Sequence, residues 1–305
     1  MSTLTKVTVS PLIHSGRSTV GIMRDVVIAL LPATVAGVIL FGLQALLPLA
    51  MCVVCCVGFE ARFNVIMKRE QTIGDLSAVV TGLLLALNLP ANIPLWQCAI
   101  GSLFAIIVVK CLFGGLGNNV VNPAITARVF MLVAFTSMAS AVHPVDVVAT
   151  ATPLSTHELP SLMDMFLGTH GGCIGETCTV ALIIGGIYLL VRRVITWHIP
   201  VILIGTVFVL SMFSTGFDVS ASLSLIMAGG LFIGAIFMAT DYVTSPSTPW
   251  GKVIFALGAG LLTWVIRTYG TYAEGVSFAI LFMNILTPYI DRWTRRKVFG
   301  EGGAK

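Results

Sequence analysis

Three clusters of polar residues interrupt an otherwise apolar chain, and their side chains do chemistry only when held together. The first holds Asn118, Asn119 and Asn122, with Arg128 a turn or two further on. The second holds Thr240, Asp241, Thr244 and Ser245, and the third Arg267 and Glu274. Ionisable groups inside apolar segments are costly and are read as functional by default. Arg128 follows Asn122-Pro123, a helix-start pattern, and a cation near a helix N-terminus suits an anionic ligand such as a phosphate. Asp241 among small polar residues likewise reads as a site. The competing reading places Arg128, Asp241 and Glu274 at span ends, reaching out to the interface, and it fits Arg267 and Glu274 equally well.

A fourth cluster is Asp146-Val-Val-Ala149-Thr150-Ala151-Thr152-Pro153. It is a small-residue turn with two hydroxyls, and Pro153 biases Thr152 toward extended backbone. An exposed threonine hydroxyl there can accept a phosphoryl group, although Ser/Thr/Pro loops are common. The cysteines are Cys52, Cys55, Cys56, Cys98, Cys111, Cys173 and Cys178. Five lie in apolar runs and read as small hydrophobes rather than as iron–sulfur ligands, whose spacings are tighter and repeated. No metal set and no catalytic acid–base group is assigned. Asp75 fits a helix N-terminus electrostatically, a structural role.

The elements that position these groups follow from composition. Of 305 residues, 57% are hydrophobic and only 10% charged, with mean hydropathy +0.99, against roughly 25% charged in soluble domains. A surface so poor in charge is made for lipid. The formal charge of +4 forms no basic stripe with interleaved aromatics, which excludes nucleic acid as a partner. The first apolar run, from about Val26, is long enough to stay as a span and is not a cleavable signal. Apolar runs cover 25–46, 48–67, 73–89, 93–113, 124–141, 179–194, 199–213, 222–240, 253–268 and 275–290, about ten spans. The expected fold is all-α and polytopic, with broken helices in two inverted five-helix repeats. Pro-containing breaks before Trp96 and Trp250, and Gly-rich turns at Gly114–Ala124 and Tyr269–Gly275, recur in both halves.

Lys and Arg enrichment on the cytoplasmic side sets orientation. It puts residues 1–24 inside, with the turns holding Arg62, Lys68, Arg69, Lys110, Arg192, Arg193 and Lys252, and a basic tail over 291–305. The repeats then cover 25–141 and 179–290. The loop 142–178 carries Asp146, Glu158, Asp164 and Glu176 with no Lys or Arg, and it faces outward.

Several blocks, in order, resemble the D subunit of the Rnf ion-translocating electron-transport complex and, more distantly, the B subunit of the Na+-pumping NADH:quinone oxidoreductase. They are Ser10-Pro11, Ile22–Ala33, Gly117–Phe130 with its Asn-Asn-Val-Val-Asn-Pro-Ala core, Met238–Pro246, and Glu274–Asn284. The resemblance implies FMN joined through its phosphate to the last Thr of an Asp-x-x-[Ser/Thr]-[Gly/Ser]-Ala-Thr motif. On this chain that is Thr152, with Asp146 opening the motif and Thr150 as an alternative acceptor. Ala149 and Thr150 depart from the family pattern, as does Leu12, where the family has His. The resemblance further implies a second flavin, riboflavin, and an inner-membrane Rnf complex with A, B, C, E and G subunits that joins ferredoxin oxidation to NAD+ reduction and moves Na+ or H+. The G subunit, outward-facing and FMN-bearing, is the implied electron donor. Asn122, Arg128 and Asp241 are the residues to examine for the flavin phosphate and the cation. A transporter or channel without redox role, or a purely structural component, would share the composition but not the Thr152 motif.

Overall fold

The computed structural model describes residues 18–135, 138, 141–142, 149–150, 161–270 and 275–295. Each apolar run has its helix. In chain order these are α1 (Thr19–Phe41), α2 (Leu43–Ile66), α3 (Ser77–Leu87), α4 (Leu95–Cys111) and α5 (Pro123–Ala134). After a short α6 (Leu162–Leu167) come α7 (Thr179–Val191), α8 (His198–Ser214), α9 (Val219–Met227), α10 (Leu231–Met238), α11 (Pro249–Tyr269) and α12 (Val276–Thr294). A two-residue antiparallel pairing, β1 (Ala141–Val142) on β2 (Ala149–Thr150), is the only sheet among the described residues. α1 begins ahead of the expected Asp25 because the Ser18 hydroxyl accepts the Gly21 N–H and caps it.

Among the described residues, α1, α2 and α11 are long and apolar enough to cross a membrane alone. α3 has eleven residues, roughly 16 Å at 1.5 Å per residue, about half of a ~30 Å hydrocarbon core. The run read as a span over 222–240 holds two helices. α9 and α10 meet at a 66° bend, because Gly229 takes φ +69 and Arg267 holds the freed carbonyls of Leu225 and Ala228 at 2.8 and 3.0 Å. That capping bond is the role the structure gives Arg267. Glu274 lies outside the described residues.

Large apolar side chains face outward in number, while several polar and charged ones are buried. Ile39 and Leu43 are 76% and 77% exposed, while Asn88, Lys110 and Asn284 are 1% exposed. The core is apolar but carries buried polar groups, and the outer face is apolar too, as a lipid solvent allows. This is a helical membrane protein.

The first and second halves pack through α1 on α7 and α5 on α12. Asp25 at the start of α1 pairs with Arg192 just past the end of α7 at 3.2 Å, so the two helices run antiparallel. Gly185 lets them touch: a Cβ there would strike the Ala29 carbonyl oxygen and come within 2.9 Å of the Phe237 ring. Gly185→Leu is therefore expected to lower the thermal unfolding midpoint in detergent, by an overpacking cost of about 1–3 kcal/mol or more; an unchanged midpoint would refute this contact.

Candidate functional site

The two polar breaks singled out in the sequence share one cavity. It measures about 80 Å3 and is lined by Asn119, Asn122, Thr240 and Asp241, with Lys110 and Ser77 on the adjoining wall. That is room for a few waters at roughly 30 Å3 each. Asn122 caps α5, its Oδ1 accepting the N–H groups of Ala124 and Ile125 at 3.0 and 3.3 Å, as Asn-Pro sequences favour. Its Nδ2 donates to the Met238 carbonyl at 3.3 Å, where α10 ends. Asp241 Oδ2 accepts from the Thr244 hydroxyl at 3.0 Å. The Asn119 side-chain oxygen is buried and accepts no hydrogen bond, so the cavity wall carries an acceptor free to meet a ligand or water.

From the cavity a polar seam runs through the interior. Asn284 donates to the Thr244 carbonyl at 3.2 Å and accepts the Asn122 N–H at 3.3 Å, its amide being oriented to satisfy both. Thr287 donates to the same Thr244 carbonyl at 2.9 Å. Asn88, just past the end of α3, meets the Met238 sulfur at 3.6 Å and accepts a hydrogen bond from Arg128 Nη1. Arg128 Nη2 stands 3.7 Å from Glu176 Oε2, both side chains 2% exposed. Arg128 thus has a protein carboxylate and an amide among its neighbours. Glu176, one of the acids of the loop read as outward-facing, is buried within the protein. The Cys173 N–H holds its Oε1 at 2.9 Å, while Ile174 and Gly175 donate to the Leu89 and Leu87 carbonyls and press the segment onto the end of α3.

That segment is led in by α6, where Asp164 is the fixing point. The Ser161 hydroxyl donates to its Oδ2 at 2.7 Å and Thr169 to its Oδ1 at 3.0 Å. In that order they hold its pKa below the ordinary carboxylate value. Asp146 and Thr152 lie outside the described residues, and Thr150 is described only as backbone in β2.

A second charged cluster sits where α2, α3 and α4 meet. Lys110 Nζ donates to Glu60 Oε1 and Oε2 at 2.8 and 2.9 Å and to Ser77 Oγ at 2.6 Å. Thr72 donates to Glu60 at 2.7 Å. Asp75 accepts the N–H and hydroxyl of Ser77 at 2.8 and 2.5 Å, the helix-start role expected of it. Lys110 lies in a π-helical stretch, Phe104–Cys111, a geometry frequent at functional sites. Sequence reasoning counted Lys110 as a turn residue and passed over Glu60. The signal was present, since both interrupt apolar runs with opposite charges that must find each other. No disulfide joins the cysteines among the described residues, and Cys52, Cys56, Cys98, Cys111 and Cys173 are buried.

Residues 6–300 match the model of the NQR2, RnfD, RnfE family. The chain is 45% identical to the D subunit of the Na(+)-translocating ferredoxin:NAD(+) oxidoreductase complex of Acetobacterium woodii, covering 95% of this chain and 94% of that one. It is 43% identical to the D subunit of the proton-translocating ferredoxin:NAD(+) oxidoreductase complex of Clostridium ljungdahlii, covering 95% of each. It is 35% identical to the D subunit of the ion-translocating oxidoreductase complex of Citrobacter koseri, over 96% of this chain and 98% of that one.

Proposed function

The chain belongs to the NQR2, RnfD, RnfE family, and from that membership we propose that it is the D-type membrane component of an ion-translocating ferredoxin:NAD+ oxidoreductase complex. It acts only within the complex, with the A, B, C, E and G subunits, and carries FMN esterified to Thr152 as an electron relay. Bound FMN supplies the redox chemistry, and the protein supplies its position and electrostatics. Riboflavin as a second carrier in the core belongs to the same reading. The motif running from Asp146 to Thr152 favours this over a transporter or channel without redox role, which has no use for a phosphate acceptor.

The fold is read as two inverted repeats, α1–α5 and α7–α12, with α9 and α10 as one broken span. Antiparallel α1 and α7, and the pairing of first with first and fifth with fifth elements, support it. Arg24, Lys110, Arg192 and Lys252 then mark the cytoplasmic end of an inner-membrane protein, with both termini inside and the flavin loop outside.

The observation that carries the ion path is the shared cavity, where the breaks at Asn119–Asn122 and Thr240–Asp241 meet. Side-chain oxygens converging in a low-dielectric interior favour a cation, and negative charge added to a nearby flavin would draw it further. The ion is left as Na+ or H+, since the relatives at 45% and 43% identity differ in it. The test is ion uptake by proteoliposomes holding the whole complex. Asp241→Ala and Asn122→Ala are expected to cut ions moved per electron by about tenfold, within the range of coupling between linked sites, with the flavin still attached. Unchanged pumping in both would remove the path from this cavity.

A further inference from the structure

Glu176 is a buried carboxylate to which the electron relay gives no task. Its Oε1 is held by the Cys173 N–H, but Oε2 accepts no hydrogen bond. It faces Arg128 Nη2 at 3.7 Å, beyond the roughly 2.7–2.9 Å of a charge-assisted hydrogen bond. Arg128 instead places Nη1 on Asn88. The pair is not closed at Oε2.

Gly230 packs closely beside it. Its backbone, φ −74 and ψ 21, is open to any L-residue, so no conformational need calls for glycine. A Cβ at this position would stand 3.1 Å from both Arg128 Nη1 and Glu176 Oε2. Glycine here lets the α9–α10 break pack directly against the pair, and any side chain would crowd both charged groups. Through Asn88, Met238 and Asn122 the pair joins the seam that leads back to the Asp241 cavity.

We propose that Glu176 is a second station on the ion path, nearer the outer face, where the carboxylate takes up the translocated cation, a proton or Na+, in place of Arg128. This rests on the reading that the complex moves an ion through the Asp241 cavity. Arg128 keeps its proton and remains bonded to Asn88 while Glu176 Oε2 receives the cation, so the occupied state carries one surplus positive charge. Inside a low-dielectric bundle that state is costly alone and is favoured when negative charge is added to the relay outside. Re-closure of Arg128 on Glu176 then expels the cation outward and bars its return.

The experiment uses the whole complex in proteoliposomes, comparing wild type with Glu176→Gln and Gly230→Ala. Electron transfer from ferredoxin to NAD+ is read with the membrane made leaky by ionophore, and ion movement by 22Na+ uptake and by a pH-sensitive dye, which between them identify the ion. Both variants are expected to keep the flavin and an electron-transfer rate within about twofold, while ions per electron fall by about tenfold or more. Wild-type pumping in both variants overturns the proposal, as does loss of assembly in both, which would make the pair a structural bolt. If Glu176→Gln alone fails to assemble, Gly230→Ala decides: reduced ions per electron supports the station and an unchanged ratio overturns it. A wild-type complex that transfers electrons and moves no ion would overturn the underlying reading, and this one with it.

Discussion

Thr152→Ala should leave the 32.4 kDa band without flavin fluorescence on a denaturing gel and stop electron flow through the complex. A phosphate ester needs a hydroxyl, which alanine lacks. Thr152→Ser should keep the band, as should Thr150→Ala. A tether holds its cargo near the site at an effective concentration of millimolar order. Free FMN at about micromolar concentration would therefore fill the same site roughly 10³-fold less often, and electron transfer should fall by about that factor. The same arithmetic predicts a rescue: added FMN near millimolar concentration should restore part of the rate to the alanine variant without restoring the band. A full rate in the unsupplemented variant would remove Thr152 from the relay. Loss of the band in Thr150→Ala alone would move the acceptor to Thr150.

Much of the architecture was legible because lipid imposes a minimum apolar length and a cost on every charge within it. The runs leading to α1, α2, α8 and α11 are readable for that reason, and the breaks at Asn122 and Asp241 stand out by residue type alone. What sequence could not supply was adjacency. That Asn88 and Glu176 are neighbours of Arg128 is visible only once α3, α5 and the segment before α7 are brought together. The bend between α9 and α10 was hidden for a related reason. Two glycines in an apolar run are compatible with an unbroken helix, and the group that makes the break tolerable, Arg267, lies on another helix. Glu176 lies in a loop as its polar segment suggests, but its burial depends on Ile174 and Gly175 bonding to Leu89 and Leu87, which the sequence does not reveal.

The largest stability effect should come from the other buried pair. Lys110 and Glu60 are 1% and 2% exposed, and each is the other's only opposite charge among their described hydrogen-bond partners. Lys110→Met would leave the Glu60 carboxylate buried with only Thr72 to support it. Removing one member of such a pair costs about 3–5 kcal/mol, whereas replacing both by apolar groups of similar size is often neutral or stabilising. Lys110→Met and Glu60→Leu are therefore each expected to lower the unfolding midpoint in detergent sharply, and the double variant to recover most of the loss. The cycle isolates the pair energy because Ser77 still has Asp75 as acceptor when Lys110 is gone. Additive losses in the double variant would show that each residue is held by other contacts. Recovered stability with ion movement still lost would instead place Lys110, which lines the Asp241 cavity, among the groups that set that cavity's charge.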